Sequence, residues 1–575
     1  MNKQSATANV CTQRVMDSKS AKCPGRLVIR ADDPTLTAHA GLAISGELVR
    51  GLGLVELLDA EIAAEHRAAP VKVRRRGASP GELLLALAEC QLAGGECFDD
   101  LEDLRADLAS APLRAVAEVP SAPAARQLAT RYRRCHLQAA ERAIASAANA
   151  LDKTLGRDSS EPVTIDLDAT EVTVYGNKKQ GTGRTRTGNL TYAPHIATWA
   201  QRGRALTAEL VSGNRVRLAG AECAKIARRA ISLLPAGHGP VSVRIDSAYY
   251  QLELLNAIRK AGARFTVSVP RNQAMWKSLD QIADDAWAQA TEMAGAEVAE
   301  TTYSPERWQG EPLRLIVRRV AFSAAKIAAG SVNARRRKTI HPEQLQMALD
   351  GELASVYGYS FILTDHPAEQ STADVEHHHR CRGQIEERLK DAKLGQALRH
   401  LPVSDLNANR VWMFASLLAL NLSAMVCELS PAAGASGAAD DERTPLRRHA
   451  KALRRVLFCV PAHILRSGRR TILRLPASMR KAEALIFQRT YDAVWALAPL
   501  NAPRRAHEVD PEHPRKARRA TDRRSGAGAR LSCQRARPDT PQSTQLPPRH
   551  RLRRPHYSPT PDRTPQDDDG AYPLI

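Results

Sequence analysis

The stretch 161–176, EPVTIDLDATEVTVYG, is where the chain changes period. Val163, Ile165 and Leu167 alternate with Thr164, Asp166 and Asp168, so a strand formed here has one apolar face and one face bearing two carboxylates. Upstream, residues 41–155 repeat apolar positions every three or four residues, as in SPGELLLALAECQLAGG, where Ser79-Pro80 marks a helix start. The change of period predicts an N-terminal helical domain over 41–155, followed by the first strand of an α/β domain.

Downstream comes a basic, glycine-rich turn, GNKKQGTGRTRTGN. It is not a phosphate loop, because no Gly-Lys-Ser/Thr closes it. LTYAPHIATWAQ and ALTAELVSG read as two more antiparallel strands, GAECAKIARRAISLL as a helix, and GPVSVRIDSAYY as a strand in which Arg244 and Asp246 share a polar face. QLELLNAIRKAGA and RFTVSVP add a helix and a strand. Strand, strand, strand, helix, strand, helix, strand predicts a mixed sheet flanked by helices over 156–275. Residues 276–356 break the pattern with strands such as PLRLIVRRVAFS and basic loops, and are expected to be a β-rich insertion. The core is expected to resume over 357–430 with the strand YGYSFILTD, a charged helix, and the apolar helix NANRVWMFASLLALNLSAMV, capped by Asn407 or Asn409.

The ends are expected to be less ordered. Residues 1–40 lack periodicity and read as a flexible tail; 431–500 read as a linker, LSPAAGASGAADDE, and a basic helical segment. Residues 501–575 hold 12 of the 34 prolines and a net charge of +7, from 16 basic and 9 acidic residues, and are expected to be disordered.

Composition narrows the partner. A net charge of +21 over 575 residues and a pI near 9.8 favour a polyanion, most simply nucleic acid. A membrane is disfavoured, because the longest apolar run, FASLLALNLSAMVC, is short and interrupted by Asn421. The N-terminus has no apolar signal core, and ten cysteines without a CxxC pair suit a reducing, cytoplasmic compartment. Arg74, Arg75 and Arg76, in VKVRRRG ahead of small helices, are candidate phosphate contacts of the helical domain.

The charged helix, HHHRCRGQIEERLKDAKLG at 377–395, carries a more specific pattern. At helical pitch, His379, Arg382, Glu386 and Lys393 fall in one stripe about 60° wide, beside an apolar stripe of Cys381, Ile385, Leu389 and Ala392. The adjacent histidines point in different directions, which argues against a zinc site there. Asp168, Asp246 and Glu386 lie on separated elements that can converge at a sheet edge. Converging carboxylates repel unless divalent cations join them, and hard Mg²⁺ prefers such oxygen ligands.

DLDAT, VRIDSAYY and HRCRGQIEERLKDAK together resemble the three catalytic blocks of the DDE transposases of bacterial insertion sequences. A large group of that family carries a Y-x(2)-R-x(3)-E-x(6)-K signature; Arg382, Glu386 and Lys393 match its intervals, with His379 in place of the tyrosine. The resemblance covers roughly residues 45–430 and implies an RNase H-like core. It implies that Asp168, Asp246 and Glu386 bind two Mg²⁺, with Mn²⁺ able to substitute, and that His379, Arg382 and Lys393 meet DNA. Asp166 shares the face of Asp168, and the Asp-x-Thr arrangement with Thr170 favours Asp168. The implied activity is metal-dependent cleavage at element ends and strand transfer into a target, by a homodimer on double-stranded DNA. The alternatives are a nuclease without strand transfer and a DNA-binding remnant without catalysis.

Overall fold

The strand read at 163–169 has no solvated face. In the computed structural model, which describes residues 30–65, 69–73, 76–430 and 449–497, β1 (Val163–Ala169) lies inside one mixed sheet. It buries Val163, Ile165 and Leu167 on one side, and Thr164 and Asp166 on the other. A strand covered on both faces needs a layer above and a layer below, and helices supply both.

The helices α1 (Leu42–Leu52), α2 (Leu54–Glu65), α3 (Pro80–Ala93) and α4 (Arg134–Thr154) precede it. Helix α3 starts where Ser79-Pro80 foretells: Ser79 Oγ accepts from the Glu82 amide at 3.1 Å while Glu82 Oε2 accepts from the Ser79 amide at 2.6 Å, a reciprocal cap.

Seven further strands complete the body of the sheet: β2 (Leu190–Trp199), β3 (Arg204–Ser212), β4 (Val241–Ile245), β5 (Arg264–Val269), β6 (Ala296–Tyr303), β7 (Leu313–Ser323) and, between β5 and β7, β8 (Ser355–Thr364). The order is β3-β2-β1-β4-β5-β8-β7-β6. β2 is antiparallel to β1 and β3, whereas β1, β4 and β5 run parallel. The crossovers between the parallel strands are α5 (Gly220–Ser232) and α6 (Leu252–Lys260), whose Cys223, Ile226, Leu254 and Ile258 pack with Val163, Ile165 and Leu167.

Strands of the insertion extend this same sheet, because β7 pairs antiparallel with β8 from Arg314↔Thr364 to Ser323↔Ser355. Only its short helices, Ala324–Ala328, Ala334–Arg337 and Pro342–Leu349, gather a small core of their own around Ile327 and Ile340.

The opposite layer holds α7 (Thr372–Arg380), α8 (Gly383–Gly395) and α9 (Leu406–Leu429). The single helix expected over 377–395 is divided. Arg382, Gln384 and Ile385 donate their amides to the His379, Cys381 and Arg382 carbonyls, i to i−3 bonds that tighten the chain at 381–382 and end α7 before α8 begins. Gly383, with the poorest helix propensity after proline, follows at the break.

Helix α9 is the one described helix long and apolar enough to cross a membrane, and 83% of its apolar window is buried inside the protein. Asn421 explains the interruption in its apolar run: its Oδ1 accepts from the Ala205 amide at 2.7 Å and its Nδ2 donates to the Ala205 carbonyl at 2.9 Å. The side chain thus satisfies a backbone site of β3. Its N-cap is Asp405, which accepts from the Ala408 amide at 2.8 Å, and not Asn407 or Asn409; Asn409 is buried and bonds Val403. On its other side α9 shares one hydrophobic cluster with α1–α4, Trp412 packing on Phe98 at 5.3 Å between ring centroids.

Two expectations for the ends are corrected. Leu36 and Thr37, placed in a loose tail, pair with His463 and Ala462. The segment expected to be basic and helical keeps a helix at Lys481–Trp495 but also contains a β-hairpin, Ala462–Ser467 with Arg470–Arg474, turned at Gly468 with φ of +59°. The expected disordered tail, 501–575, lies outside the described residues.

Candidate active site

Asp168 and Asp246 are brought together by register. In the parallel pair β1/β4, Asp166 stands opposite Arg244 and Leu167 opposite Ile245, which places Asp168 level with Asp246 at the C-terminal edge of adjacent strands. Strands so paired lie about 4.8 Å apart. Asp246 also caps the turn that follows, its Oδ1 accepting from the Ala248 amide at 2.9 Å.

The register distinguishes the two aspartates of DLDAT. Asp166 is 1% exposed and held by two parallel bonds from Arg244, Nε to Oδ1 at 2.6 Å and Nη2 to Oδ2 at 2.7 Å. A carboxylate committed to a buried fork has no free oxygen edge for another cation. Asp168 has no such fork: Arg382 Nη1 reaches its Oδ2 at 3.3 Å and its Oδ1 accepts from the Ala169 amide at 2.8 Å.

Glu386, in the first turn of α8, joins through the same guanidinium, Arg382 Nη2 lying 3.5 Å from Glu386 Oε1. Arg382 therefore sits between two of the three acids. Burial raises Asp168 to about 6 against the pull of Arg382, and the charges of Asp246 and Glu386 add to the rise.

The donor set is three carboxylates without a thiolate or imidazole, the chemistry of a hard divalent cation. A like-charge group with a raised pKa is relieved by such an ion. The fit is incomplete in spacing, since among the described residues no three acidic, histidine or cysteine groups stand close enough to form a closed metal cluster. Glu386, 64% exposed at its side chain, is the member with freedom to close the gap.

The expected phosphate contacts fare differently. His379 turns inward: it is 6% exposed, its Nδ1 lies 2.9 Å from Thr266 Oγ1 and its Nε2 2.9 Å from Ser268 Oγ, so it does not share the outward row with Arg382. The turn at 381–382 is the physical reason. Burial lowers His379 to about 3 and His378 to about 4, so both are neutral fasteners of α7 on the sheet. Lys393 lies in the last turn of α8, where its Nζ donates to the Glu171 carbonyl at 2.9 Å and to Thr170 Oγ1 at 3.2 Å. It braces the loop that follows Asp168. Arg76 is exposed between α2 and α3, remote in sequence from this edge. Arg74 and Arg75 lie outside the described residues.

Two supporting groups were given no role in the reading of the sequence. Arg244 was visible, since RID and DLD on parallel strands match Arg with Asp166 and Asp with Asp168 once the register is known. The other is a buried Tyr249–His195 pair, hydroxyl to Nδ1 at 2.6 Å, with His195 Nε2 3.4 Å from the Arg215 carbonyl. Nothing local in the sequence links a strand β2 histidine to the turn after β4.

Residues 20–497 match the family model described as "Transposase DDE domain group 1". No curated protein matches the chain. Among solved structures, the cryo-EM structure of a piggyBac transposase synaptic complex with hairpin DNA is similar over 68% of this chain and 75% of that one, at 10% identity and a TM-score of 0.32.

Proposed function

The chain belongs to the transposase DDE domain family, and from that membership we propose that Asp168, Asp246 and Glu386 carry metal-dependent cleavage of DNA at the ends of a mobile element, followed by strand transfer. The observation that carries this reading is the side-by-side placement of Asp168 and Asp246 at the ends of parallel strands, with Glu386 tied to Asp168 through Arg382. The strand order β3-β2-β1-β4-β5, antiparallel for three strands and parallel for three, supports an RNase H-like core.

Two Mg²⁺ ions, or Mn²⁺ in their place, would supply charge neutralisation at the scissile phosphate and a water made nucleophilic at neutral pH. The residues of the chain do the rest. Asp168 and Asp246 would hold the ions at the sheet edge, and Glu386, moving from Arg382, would complete the set. Arg382, released from Glu386, turns its free N–H groups to the phosphate oxygens. Lys393 keeps the loop after Asp168 in place. Water displaces the 3′ oxygen at the element end; the freed 3′-OH then displaces an oxygen of a target phosphodiester in line, one P–O bond breaking as one forms. No covalent bond to the protein is required.

In this reading the partners are the terminal inverted repeats and target DNA, bound by a homodimer within the bacterial cytoplasm, with the helices of 41–155 recognising element ends. The test is incubation of purified protein and Mg²⁺ with DNA carrying the sequences that flank its own gene. Cut ends that join a target plasmid support transposition, whereas cut ends that do not join identify a nuclease. The spacing of the carboxylates favours one second reading, a DNA-binding remnant; metal-independent binding without any cleavage in Mg²⁺ or Mn²⁺ would select it.

A further inference from the structure

Asp168 and Asp246 stand level, but the ladder between their strands stops short of them: the paired register of β1 and β4 ends at Leu167 opposite Ile245. On its other side β1 stays paired further, with Asp168 opposite Ile196 and Ala169 opposite His195 of β2, and the Thr170 amide donates to the Pro194 carbonyl at 3.0 Å. Asp168 is thus fixed to β2, whereas Asp246 opens the turn Ser247–Tyr249 beyond the last rung. The separation of the two carboxylates depends on what holds that turn.

Tyr249 is the residue that ties it down. Its amide donates to the Asp246 carbonyl at 3.1 Å, and its side chain, in the core, reaches the buried ring of His195. The hydroxyl lies 2.6 Å from His195 Nδ1, with the two rings edge to face at 5.7 Å between centroids. His195 Nε2 faces the Arg215 carbonyl at 3.4 Å, and a carbonyl only accepts, so Nε2 carries the proton and Nδ1 accepts from the Tyr249 hydroxyl. Burial lowers His195 to about 4, which keeps the ring neutral at pH 7. Cross-strand partners share a face, so His195 lies with Ala169 on the face opposite Asp168, where Tyr249 packs in one cluster with Ile165 and Leu167. The bond therefore runs from β2 to the turn after β4, past the end of the strand between them, over two strand intervals or about 10 Å.

Packing does not require a polar pair here, since apolar groups of the same shape in place of both partners cost a fold little. What a short bond between two buried rings adds is direction. We infer that Tyr249 and His195 are positioning residues, a strap on the far face of the sheet that sets the Asp246 carboxylate at a fixed separation from Asp168. The inference rests on the transposase reading and deepens it, because a divalent cation shared by two carboxylates is sensitive to their spacing.

The test measures Mn²⁺ binding to the full chain by the electron paramagnetic resonance of the free ion, and amide exchange in the metal-free protein. Tyr249→Phe is expected to weaken Mn²⁺ binding roughly tenfold, about the worth of one net hydrogen bond, and to speed exchange over Ser247–Tyr249 while exchange within Val241–Ile245 stays as in the wild type. In cleavage assays the same variant should need more Mg²⁺ for half its maximal rate and approach the wild-type rate at saturation. His195→Asn, which keeps an acceptor close to the place of Nδ1, should bind Mn²⁺ as the wild type does. Should Tyr249→Phe fail to fold, His195→Leu with Tyr249→Phe replaces both partners by apolar groups and carries the same expectation. Wild-type Mn²⁺ affinity in the variant lacking the hydroxyl, or a cleavage rate lowered equally at every Mg²⁺ concentration, overturns the strap alone. Asp246→Asn that binds Mn²⁺ and cuts DNA as the wild type does overturns the transposase reading of this edge with it.

Discussion

Asp166 and Asp168 are two residues apart on one face of one strand, yet the structure gives them different partners. Asp166 is half of a buried ion pair, so Asp166→Ala leaves Arg244, 4% exposed at its side chain, uncompensated and should cost about 3–5 kcal/mol of stability in urea unfolding. Asp168→Asn should leave the fold intact and abolish cleavage. A stable Asp166→Ala and an unfolded Asp168→Asn would reverse the assignment. Asp168 also sets a pH dependence. Its folded pKa of about 6 lies above the ordinary 3.8, so in the metal-free protein the folded state holds the proton more tightly and this group's contribution to stability falls as pH rises from about 4 to about 6. A divalent cation competes with that proton. Added Mg²⁺ should raise the melting temperature more at pH 7.5 than at pH 5, and Asp168→Asn should remove the difference; equal shifts at both pH values would contradict it. At this scale strand parity and motif spacing singled out three acids, and the register sets two of them, Asp168 and Asp246, side by side. The choice between Asp166 and Asp168 was not legible there, because it depends on Arg244 from a strand 78 residues away.

The helix pair α7–α8 is held by histidines where the sequence suggested an outward phosphate row. His366 and His378 both meet Ser242 Oγ, at 2.9 and 3.1 Å, and His379 meets Thr266 and Ser268. Their folded pKa values are depressed by burial, to about 4 for His378 and about 3 for His379. The stability they contribute is thus present above the unfolded value near 6.5 and is lost as pH falls from there through those folded values. Acid should loosen α7 before the rest of the sheet: amide exchange over 372–380, corrected for intrinsic rates, should speed up between pH 7 and pH 5 more than exchange in β1. Equal change in both elements would refute the fastening role. The helix period was readable from 377 to 395, but the tightened turn at 381–382 was not, since a run of i to i−3 bonds leaves the residue pattern almost unaltered while it redirects His379 inward.

Across the molecule, the layers are joined by ionic ties that local pattern does not reveal. Arg204 of β3 is 4% exposed at its side chain and meets Asp152 of α4 at 2.8 and 3.0 Å and Glu428 of α9, while Arg157 meets Glu428 at 3.0 Å. Together with the cluster that α9 shares with α1–α4, this predicts that the N-terminal helices and the sheet unfold in one transition; Arg204→Ala should lower stability by about 3–5 kcal/mol without splitting it. Two resolved transitions in the wild type would contradict that coupling. The alternation of strands and helices was legible, because each strand wears its apolar face in its own residues. The hairpin at 462–474 and its pairing with Leu36–Thr37 were not, since partners more than 400 residues apart leave no local signature. The account as a whole rests on the carboxylate edge, and the rate of Mg²⁺-dependent cleavage of an element end by Asp246→Asn tests it most directly. The account predicts that this variant binds the DNA as the wild type does and cuts at a rate indistinguishable from the metal-free control; cutting at the wild-type rate would contradict it.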